Sequence, residues 1–393
     1  MKYLRIFNND AEHQQFKVGG DYITPNVCLI KGTNCIKLEV YKPPTDIIYY
    51  TSSDGNIVTP YNTSVFGANI ISNTYENGKG IIKFDGDVTS IGSQAFYYCT
   101  SLTSVTIPDS VTEIRFAAFN SCTSLASVTI GNSVTEIGEK AFKGCSSLTS
   151  ITIPDSVTSI GSSAFDSCTS LKAFYGKLAS EDNRCLIVNG TLHSFAPAGI
   201  TSYTIPNGVT SIGEKAFSDC TSLTSVAIPD SVTKIGNSAF NSCTSLASVN
   251  IPDSVTTIGK NAFSNCTSLT SVTIPDSVTN IGNWTFSDCT SLTSITIPDS
   301  VTEIGEYAFY RCNSLTSITI PDSVTSIGGS AFYYCAKLVS VYCKSTTPPT
   351  LGSSAFSINA SGRKIYVPME SVDAYKAAIN WSSYASYIEG YNF

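Results

Sequence analysis

The chain has 393 residues, a formal net charge of −7 and a sequence pI near 4.9, and only 13% of its residues are charged. The 23 basic residues are scattered singly, which argues against nucleic acid as a partner because no cationic stripe can displace counterions from a phosphate backbone. The sequence has no apolar stretch of about 18 residues or more that could cross a bilayer, and its first residues lack the apolar core of a secretory signal.

Residues 1–49 are expected to form a small N-terminal module. LRIF (4–7) and VCLI (27–30) have the apolar, β-branched character of strands. Asp10 is placed to cap a short helix through AEHQQFKV (11–18). None of these segments resembles a catalytic motif.

A strict repeat dominates residues 50–356. From Val88 the chain reads VTSIGSQAFYYCTSLTSVTIPDS, and the next 23 residues, VTEIRFAAFNSCTSLASVTIGNS, align with it without a gap. A cysteine marks each repeat, at Cys99, Cys122, Cys145, Cys168, Cys220, Cys243, Cys266, Cys289, Cys312 and Cys335. Such a period predicts a solenoid, because a single unit is too small to bury its own apolar side chains and must stack on its neighbours.

Each repeat changes its periodicity along its length. Val105 and Ile107 alternate with hydroxyl side chains, which is the period of a strand. The Pro-Asp pair that follows ends the strand, since proline cannot extend a ladder. Ala118, Phe119 and Cys122 have nearly helical spacing, so a short helical or 3₁₀ segment is expected to close the coil.

The repeat is broken once, by an irregular unit near 174–208. Two short apolar runs flank Asn189-Gly190 there, and this dipeptide predicts a hairpin. A second hairpin is predicted near the start of the solenoid, where apolar runs between Ile47 and Thr59 flank Ser53-Asp54-Gly55.

Residues 357–393 are expected to form a C-terminal cap. Residues 364–368 read as a last strand and residues 372–378 as a helix. An uncapped end coil would expose a strand edge and bare apolar side chains, so Trp381 and the two tyrosines after it are expected to cover the last coil. Ligand binding by Trp381 is the alternative.

The repeat resembles a known class. Residues 148–168 read LTSITIPDSVTSIGSSAFDSC, and this pattern recurs with small changes over roughly residues 80–356. It is similar to the BspA-like, or Treponema-type, leucine-rich repeat. The chain lacks the asparagine ladder of other leucine-rich repeats, with Ser110 near that place, as is usual in this class. The resemblance implies a right-handed, curved leucine-rich-repeat solenoid from host-associated anaerobic bacteria, of a kind often described as a surface adhesin, and it leaves the ligand open.

The sequence offers little for catalysis. Its two histidines, His13 and His193, lie outside the regular repeats, so neither a triad nor a histidine metal cluster is expected within them. Acidic pairs such as Glu136 and Glu139 stand at variable surface positions, where a solvated face is favoured over general acid and base chemistry. We therefore expect no catalytic residue, cofactor or metal, and a protein that is not an enzyme.

Two repeated residue types have structural explanations. Cysteines on successive coils point the same way and form no C-x-x-C pair, so they are interpreted as a buried packing column rather than as disulfides or metal ligands. A bridge between Cys28 and Cys35 stays open. The aspartates that begin with Asp109 are interpreted as turn caps, because calcium needs six or more oxygen ligands and each turn offers one carboxylate.

Candidate recognition residues lie at the Ala-Phe-x-x-Cys corner of the repeat. The strand faces carry a nearly uniform Ser/Thr surface with little power to discriminate, whereas the corner positions vary and carry aromatics on the C-terminal coils. The candidate ligand-binding residues are Trp284, Tyr307, Tyr310, Arg311, Tyr333 and Tyr334. The alternative is drift at tolerant positions with partial packing between coils.

Two functions are compatible with the sequence. The first is a non-enzymatic adhesin that recognises host or bacterial proteins or glycans, at the cell surface or secreted, as the resemblance implies. The second is a structural or assembly component, phage-derived in one version, that docks through the N-terminal module and is cytoplasmic or particle-associated, as the lack of a signal peptide favours. The ligand, the export route and the oligomeric state stay open.

Overall fold

The computed structural model describes residues 43–393 and the backbone of four strands that precede them. These strands are Tyr3–Ile6, Gln14–Lys17, Cys28–Lys31 and Asn34–Val40. They form an antiparallel sheet in which the first strand lies between the second and the fourth, and the third pairs with the other edge of the fourth.

The strands and their pairing test the strand and helix predictions for the N-terminal residues. The strands predicted at 4–7 and 27–30 are confirmed by Tyr3–Ile6 and Cys28–Lys31. The helix predicted through 11–18 is wrong, because Gln14–Lys17 pairs along its whole length with the first strand, and this pairing outweighs a weak helical pattern. Its predicted cap, Asp10, lies outside the described residues.

Cys28 and Cys35 lie on neighbouring strands without being directly opposite. Cys28 is opposite Lys37, and Cys35 is opposite Ile30. They therefore take diagonal positions on one antiparallel pair, where Cα atoms are about 7–8 Å apart. Whether the two cysteines are bridged stays open.

From Val88 the chain winds into a parallel β-solenoid with one 23-residue repeat per coil. One face of the solenoid is a ladder of strands. In most of them a valine or isoleucine points inward, and the flanking side chains, mostly Ser and Thr, point outward. Its strands are Leu102–Thr106, Ser127–Thr129, Ser150–Thr152, Ala173–Tyr175, Ser202–Thr204, Ser225–Ala227, Ser248–Asn250, Ser271–Thr273, Ser317–Ile320 and Ser340–Cys343. We call this the strand face.

A second ladder of short strands runs along the coils and ends each time on a buried isoleucine or leucine. Its strands are Ser90–Ile91, Glu113–Ile114, Glu136–Ile137, Ser159–Ile160, Ser211–Ile212, Lys234–Ile235, Thr257–Ile258, Asn280–Ile281, Glu303–Ile304, Ser326–Ile327 and Thr350–Leu351. Between the ladders, Ser110 Oγ donates to Val88 O of the preceding coil at 2.7 Å, and Ser254 repeats this contact with Val232 O. A ladder of serine side chains therefore takes the place that an asparagine ladder has in other leucine-rich repeats.

The Ala-Phe-x-x-Cys corner is built from successive turns rather than a helix. Its N–H groups bond to carbonyls three residues back, as from Cys122 to Phe119, which is the pattern of a 3₁₀ helix. However, one residue before the alanine of each corner has φ between +52° and +60°, and a left-handed residue ends a right-handed helix. The N–H of this residue donates to the next coil, as Lys140 N does to Ser162 O at 3.1 Å. The expected helical segment is therefore a chain of turns.

The core is a set of apolar columns. Phenylalanines of successive corners stack nearly parallel, with ring centroids 5.2 Å apart between Phe119 and Phe142 and 5.3 Å apart between Phe240 and Phe263. The Leu, Ile and Val side chains of each coil are buried around this column. Stacking thus buries what a single coil would leave exposed.

The irregular unit interrupts both the core and the corner hydrogen bonds. The predicted hairpin is confirmed: Cys185–Val188 pairs antiparallel with Thr191–Phe195 across Asn189 (φ 49°) and Gly190 (φ 74°). The buried apolar residues divide here into two clusters. On the preceding coil, the corner N–H of Ser163 has no acceptor within residues 43–393, whereas that of Lys140 has one.

The N-terminal end of the solenoid is covered by three antiparallel strands. Ile47–Ser52 pairs with Lys79–Phe84 and with Leu102–Thr106, and Ile70–Glu76 forms the outer strand. The hairpin predicted around Ser53-Asp54-Gly55 is therefore wrong, because the partner strands lie farther along the chain. The hairpin that forms turns at Asn77-Gly78.

The C-terminal cap contains Lys364–Pro368, a 3₁₀ turn at Met369–Ser371, the helix Val372–Ala377, a 3₁₀ segment at Trp381–Tyr387 and the strand Ile388–Tyr391. The strand and helix predictions are confirmed, although Lys364–Pro368 is not the last strand. Trp381 is fully buried, with its ring centroid 5.8 Å from that of Phe356, and its Nε1 donates to Pro349 O. It covers the last coil, so ligand binding by Trp381 is excluded.

Candidate functional site

The predicted aromatic residues form a continuous cluster along the corners of three successive coils. Trp284 stacks on Tyr307 with centroids 4.0 Å apart, and Tyr310 stacks on Tyr333 at 5.8 Å. Tyr310 also lies 5.8 Å from Trp284, and Tyr334 lies 6.5 Å from Tyr333. We call these five rings, with Arg311, the aromatic ladder.

Arg311 joins the ladder through both charge and ring contacts. Its guanidinium lies 5.9 Å from the centroid of Tyr310 and 5.7 Å from that of Tyr334. Its Nη1 is 3.6 Å from Asp288 Oδ1, in an ion pair that is largely open to solvent and contributes little to stability. The guanidinium is thus held among the rings while it stays accessible to a partner.

Four of the six ladder residues occupy unfavourable backbone conformations. Trp284 (φ 60°), Tyr307 (φ 55°), Arg311 (φ 57°) and Tyr334 (φ 59°) are all left-handed, a conformation that glycine and asparagine adopt most readily and bulky residues rarely. Equivalent positions on other coils carry small or flexible polar residues with the same φ, such as Asn261 (φ 57°). The coil therefore requires the conformation but not the rings.

The aromatic ladder begins at an interruption in the second ladder of short strands. The second ladder of short strands breaks between Thr257–Ile258 and Asn280–Ile281. Thr285, fully buried, replaces the corner alanine, and the Phe263 to Phe286 centroid distance is 5.6 Å. A Cβ on Gly282 would approach no atom closer than 3.4 Å. The coil that carries Trp284 is thus slightly farther from the preceding coil than its neighbours are from each other.

A second group of aromatics lies on the strand face of the last coils. Tyr342 and Tyr366 are direct neighbours in the register and stack at 4.9 Å, and Tyr391 contacts both. Tyr342 is visible in the sequence as an aromatic in the strand. Its stacking partners come from the cap, whose register does not follow the 23-residue period, so the repeat could not reveal them.

The cysteine column packs as predicted. The cysteines within residues 43–393 are free, and all but Cys99 are buried. In most coils the cysteine Sγ donates to the phenylalanine carbonyl of the preceding coil, as Cys145 does to Phe119 O at 3.2 Å. Burial raises the pKa of Cys168 and Cys335 to about 12, so these thiols stay protonated and unreactive at neutral pH.

The remaining chemical candidates are solvated or shielded. Glu136 and Glu139 are exposed, and Glu139 pairs with Lys140. Burial lowers the pKa of His193 in the irregular unit, while His13 lies outside the described residues. Within the described part of the chain, no group of three His, Cys, Asp or Glu side chains could hold a metal ion.

The aspartate column does not cap its own turns. The Pro-Asp-Ser turn is closed by its backbone, with Val111 N donating to Pro108 O at 3.1 Å. Asp109 Oδ1 instead accepts from Asn132 N of the next coil at 2.8 Å. The predicted turn-capping role is therefore wrong. The aspartates stand at exposed turn positions, and Asp109 bonds to the neighbouring coil.

A buried charge cluster bridges the irregular unit, and the sequence analysis missed it. The Asp166 side chain is 2% exposed and pairs with Lys143 Nζ at 2.9 Å and Lys215 Nζ at 3.3 Å, across the break. Beside it, Ser167 Oγ donates to Asp219 Oδ2 at 2.7 Å. The irregular unit takes no part in the 23-residue alignment, so no repeat position predicts which residues meet across it.

Comparison with protein families identifies the repeat. A family profile described as BspA type leucine rich repeat region (6 copies) matches residues 56–180, 192–301 and 256–384. The chain belongs to the BspA-type leucine-rich repeat family. This confirms the resemblance drawn from the repeated pattern, and leucine-rich repeat families of this kind are typically non-catalytic. No curated protein matches the chain.

Solved structures of bacterial leucine-rich repeat proteins are similar to this chain. One from Eubacterium ventriosum is 27% identical, with a TM-score of 0.58, and the match covers 70% of this chain and 81% of that one. One from Bacteroides ovatus is 28% identical over 83% of this chain and 92% of that one, with a TM-score of 0.47. The pneumococcal vaccine antigen PcpA is 21% identical over 82% and 87%, with a TM-score of 0.52, and shows the fold alone.

The family and the fold together indicate a protein-binding or surface repeat protein. Among the described residues, no helix has the length and apolar character that a bilayer crossing requires.

Proposed function

We propose that this BspA-type repeat protein is a non-enzymatic adhesin at a bacterial cell surface, which recognises host or bacterial proteins or glycans through the aromatic ladder. The family supports a binding role in general terms. The ladder supports a particular location, because it combines large rings and a guanidinium, the residue types that dominate binding energies at interfaces.

The observation that carries the proposal is the conformation of Trp284 and Tyr307. Both are left-handed, although equivalent positions take small or flexible polar residues without any change in backbone. Bulky residues that occupy a costly conformation without a structural need are typical of functional sites. Packing between coils is the competing explanation, since the two rings do stack on each other.

The shape of the ladder limits what it can bind. Because the rings stack face to face, they present edges and hydroxyls to solvent rather than open faces. A surface of ring edges and hydroxyls that spans three coils fits a protein surface or a glycan that lies across them. A small molecule that needs an enclosed pocket does not fit it.

The test is a binding screen of the intact chain against matrix proteins and glycans, followed by footprinting of the complex. We expect a ligand to protect the ladder from hydroxyl-radical oxidation while Tyr97 and Tyr98, at equivalent corner positions near the N-terminal end, stay accessible. Protection confined to the N-terminal coils or the strand face would refute the proposed location. Absence of the protein from the surface of intact cells, probed with an antibody, would refute the adhesin.

A further inference from the structure

An open cavity of about 370 Å³ lies between the last coil and the C-terminal cap. The loop after Phe356 forms one wall and the 3₁₀ segment Trp381–Tyr387 forms the other. The backbone N–H of Tyr334 donates to Ser357 O at the mouth of this loop, so the cavity lies on the coil next to the end of the aromatic ladder. The residues that line the cavity do not belong to the aromatic ladder.

The cavity is lined by a buried arginine that has no counter-ion. Arg363 is 5% exposed, and within residues 43–393 no carboxylate oxygen lies within 4.0 Å of its nitrogens. Its Nη1 donates to Phe356 O, and its Nε has no partner. Nη2 also donates no hydrogen bond within these residues but, unlike Nε, keeps contact with solvent. In a chain with 30 acidic residues, this is an unusual place for a positive charge.

The walls hold the guanidinium in place without neutralising it. The guanidinium lies 5.2 Å from the ring centroid of Tyr384 and 4.8 Å from that of Tyr387. Tyr384 is itself fixed, because its hydroxyl accepts from Phe356 N at 3.2 Å. Ring contacts of this kind offset part of the loss of hydration, and burial still lowers the pKa of Arg363.

A second unpartnered donor lies in the same wall. Asn359 Oδ1 accepts from Cys335 N at 3.2 Å, which orients the amide, and its Nδ2 has no partner. The two orphaned side-chain atoms, Arg363 Nε and Asn359 Nδ2, lie within the cavity walls, and both are hydrogen-bond donors. A ligand that completes this site must therefore supply acceptor oxygens and a negative charge.

We propose that this cavity binds a small organic carboxylate, about the size of one sugar acid or one amino acid. The planar guanidinium matches a carboxylate in geometry and charge. The ring of Tyr387, which is 40% exposed, forms the apolar wall against which the ligand's carbon skeleton packs. Because Nε and Nδ2 are shielded from solvent, the loop at residues 357–362 must shift for the ligand to engage both donors.

The test is calorimetric titration of the full chain with D-glucuronate, with N-acetyl-L-glutamate and with neutral D-glucose. We expect at least one carboxylate to bind with a Kd of about 1 mM or tighter, and glucose not to bind at that level. The two carboxylates distinguish a sugar acid from an amino acid as the source of the charge. Equal binding of glucose, or no carboxylate binding up to about 10 mM, would overturn the proposal.

Variants separate a binding role from a structural one. Arg363→Gln removes the unpaired charge, so we expect it to abolish carboxylate binding while the melting temperature stays the same or rises. Tyr387→Ala should weaken binding about two- to fivefold through loss of the wall. Arg311→Gln, on the ladder, is the matched control and should leave carboxylate binding unchanged.

The opposite pattern identifies a purely structural arginine. If Arg363→Gln binds the carboxylates as the wild type does, or if the carboxylates fail to raise the melting temperature of the wild type, the proposal is overturned. Loss of binding in Arg311→Gln but not in Arg363→Gln would move the carboxylate site to the ladder.

Discussion

Two glycines at the same repeat position should respond oppositely to alanine. A Cβ on Gly259 would lie 2.5 Å from Asn237 N and 2.6 Å from Gly236 C, both backbone atoms of the preceding coil. A Cβ on Gly282 would meet nothing closer than 3.4 Å, an ordinary contact distance. Neither glycine has a positive φ, so the expected difference between the two alanine substitutions comes from the spacing between coils.

The expected magnitudes follow from this spacing. In Gly259→Ala the coils must separate by about 1 Å, and overpacking of this kind costs about 1–3 kcal/mol. Alanine also restricts the unfolded chain and so stabilises by about 0.4–1 kcal/mol where it fits. We therefore expect Gly259→Ala to destabilise by a net ~1–2 kcal/mol and Gly282→Ala to stabilise by about 0.5 kcal/mol.

The assay must report locally, because coils of a solenoid need not unfold together. Urea titration followed by hydrogen exchange and mass spectrometry gives an opening free energy for peptides that span each glycine. Gly259→Ala should lower protection in the peptides on both sides of the Gly236 and Gly259 corners. Equal effects of the two substitutions would refute the claim that the coils are more widely spaced at Trp284.

Three further predictions concern the core and the break in the solenoid. Phe263→Ala should cost about 3–5 kcal/mol in local stability, because Phe263 is fully buried between two stacked rings, and an unchanged urea midpoint would show that the phenylalanine column is not core. Asp166→Asn should lower the free energy of unfolding by about 1–3 kcal/mol, because it leaves Lys143 and Lys215 unpaired; this is less than for a fully buried ion pair, since both lysines are partly exposed. An unchanged thermal unfolding would exclude these ion pairs as a bridge between the two cores. The buried thiols, such as Cys145, should resist an aromatic disulfide reagent at pH 8 until the protein unfolds, so rapid labelling of the native protein would contradict the packing column.

The repeat could be read from the sequence because one set of inward positions recurs every 23 residues. Val105, Ile114 and Phe119 are all fully or nearly fully buried, and their equivalents pair in register with the next coil. A strict period repeats the same environment, so the sequence itself reports which positions are constrained. The corner positions are not constrained in this way, so their residues vary between coils. The aromatic ladder lies among these variable positions.

Some predictions failed because a local signal was overlooked, and others because long-range pairing decides the structure. The Asn77-Gly78 turn carries a strong local hairpin signal that the sequence analysis overlooked in favour of Ser53-Asp54-Gly55. Gln14–Lys17 is a strand only because Tyr3–Ile6 lies beside it. The isolated guanidinium of Arg363 depends on which side chains the cap brings to the last coil, and no spacing in the sequence encodes this.

We propose that the aromatic ladder is the recognition surface of the solenoid. The direct test is the affinity of the ligand found in the binding screen for the triple variant Trp284→Ala, Tyr307→Ala and Tyr310→Ala, with Tyr97→Ala and Tyr98→Ala together as the control. We expect the triple variant to lose at least about 2 kcal/mol of binding free energy, roughly thirtyfold in Kd, while its melting temperature changes little. Wild-type affinity in the triple variant, or an equal loss in the control, would show that the aromatic ladder is not the recognition surface.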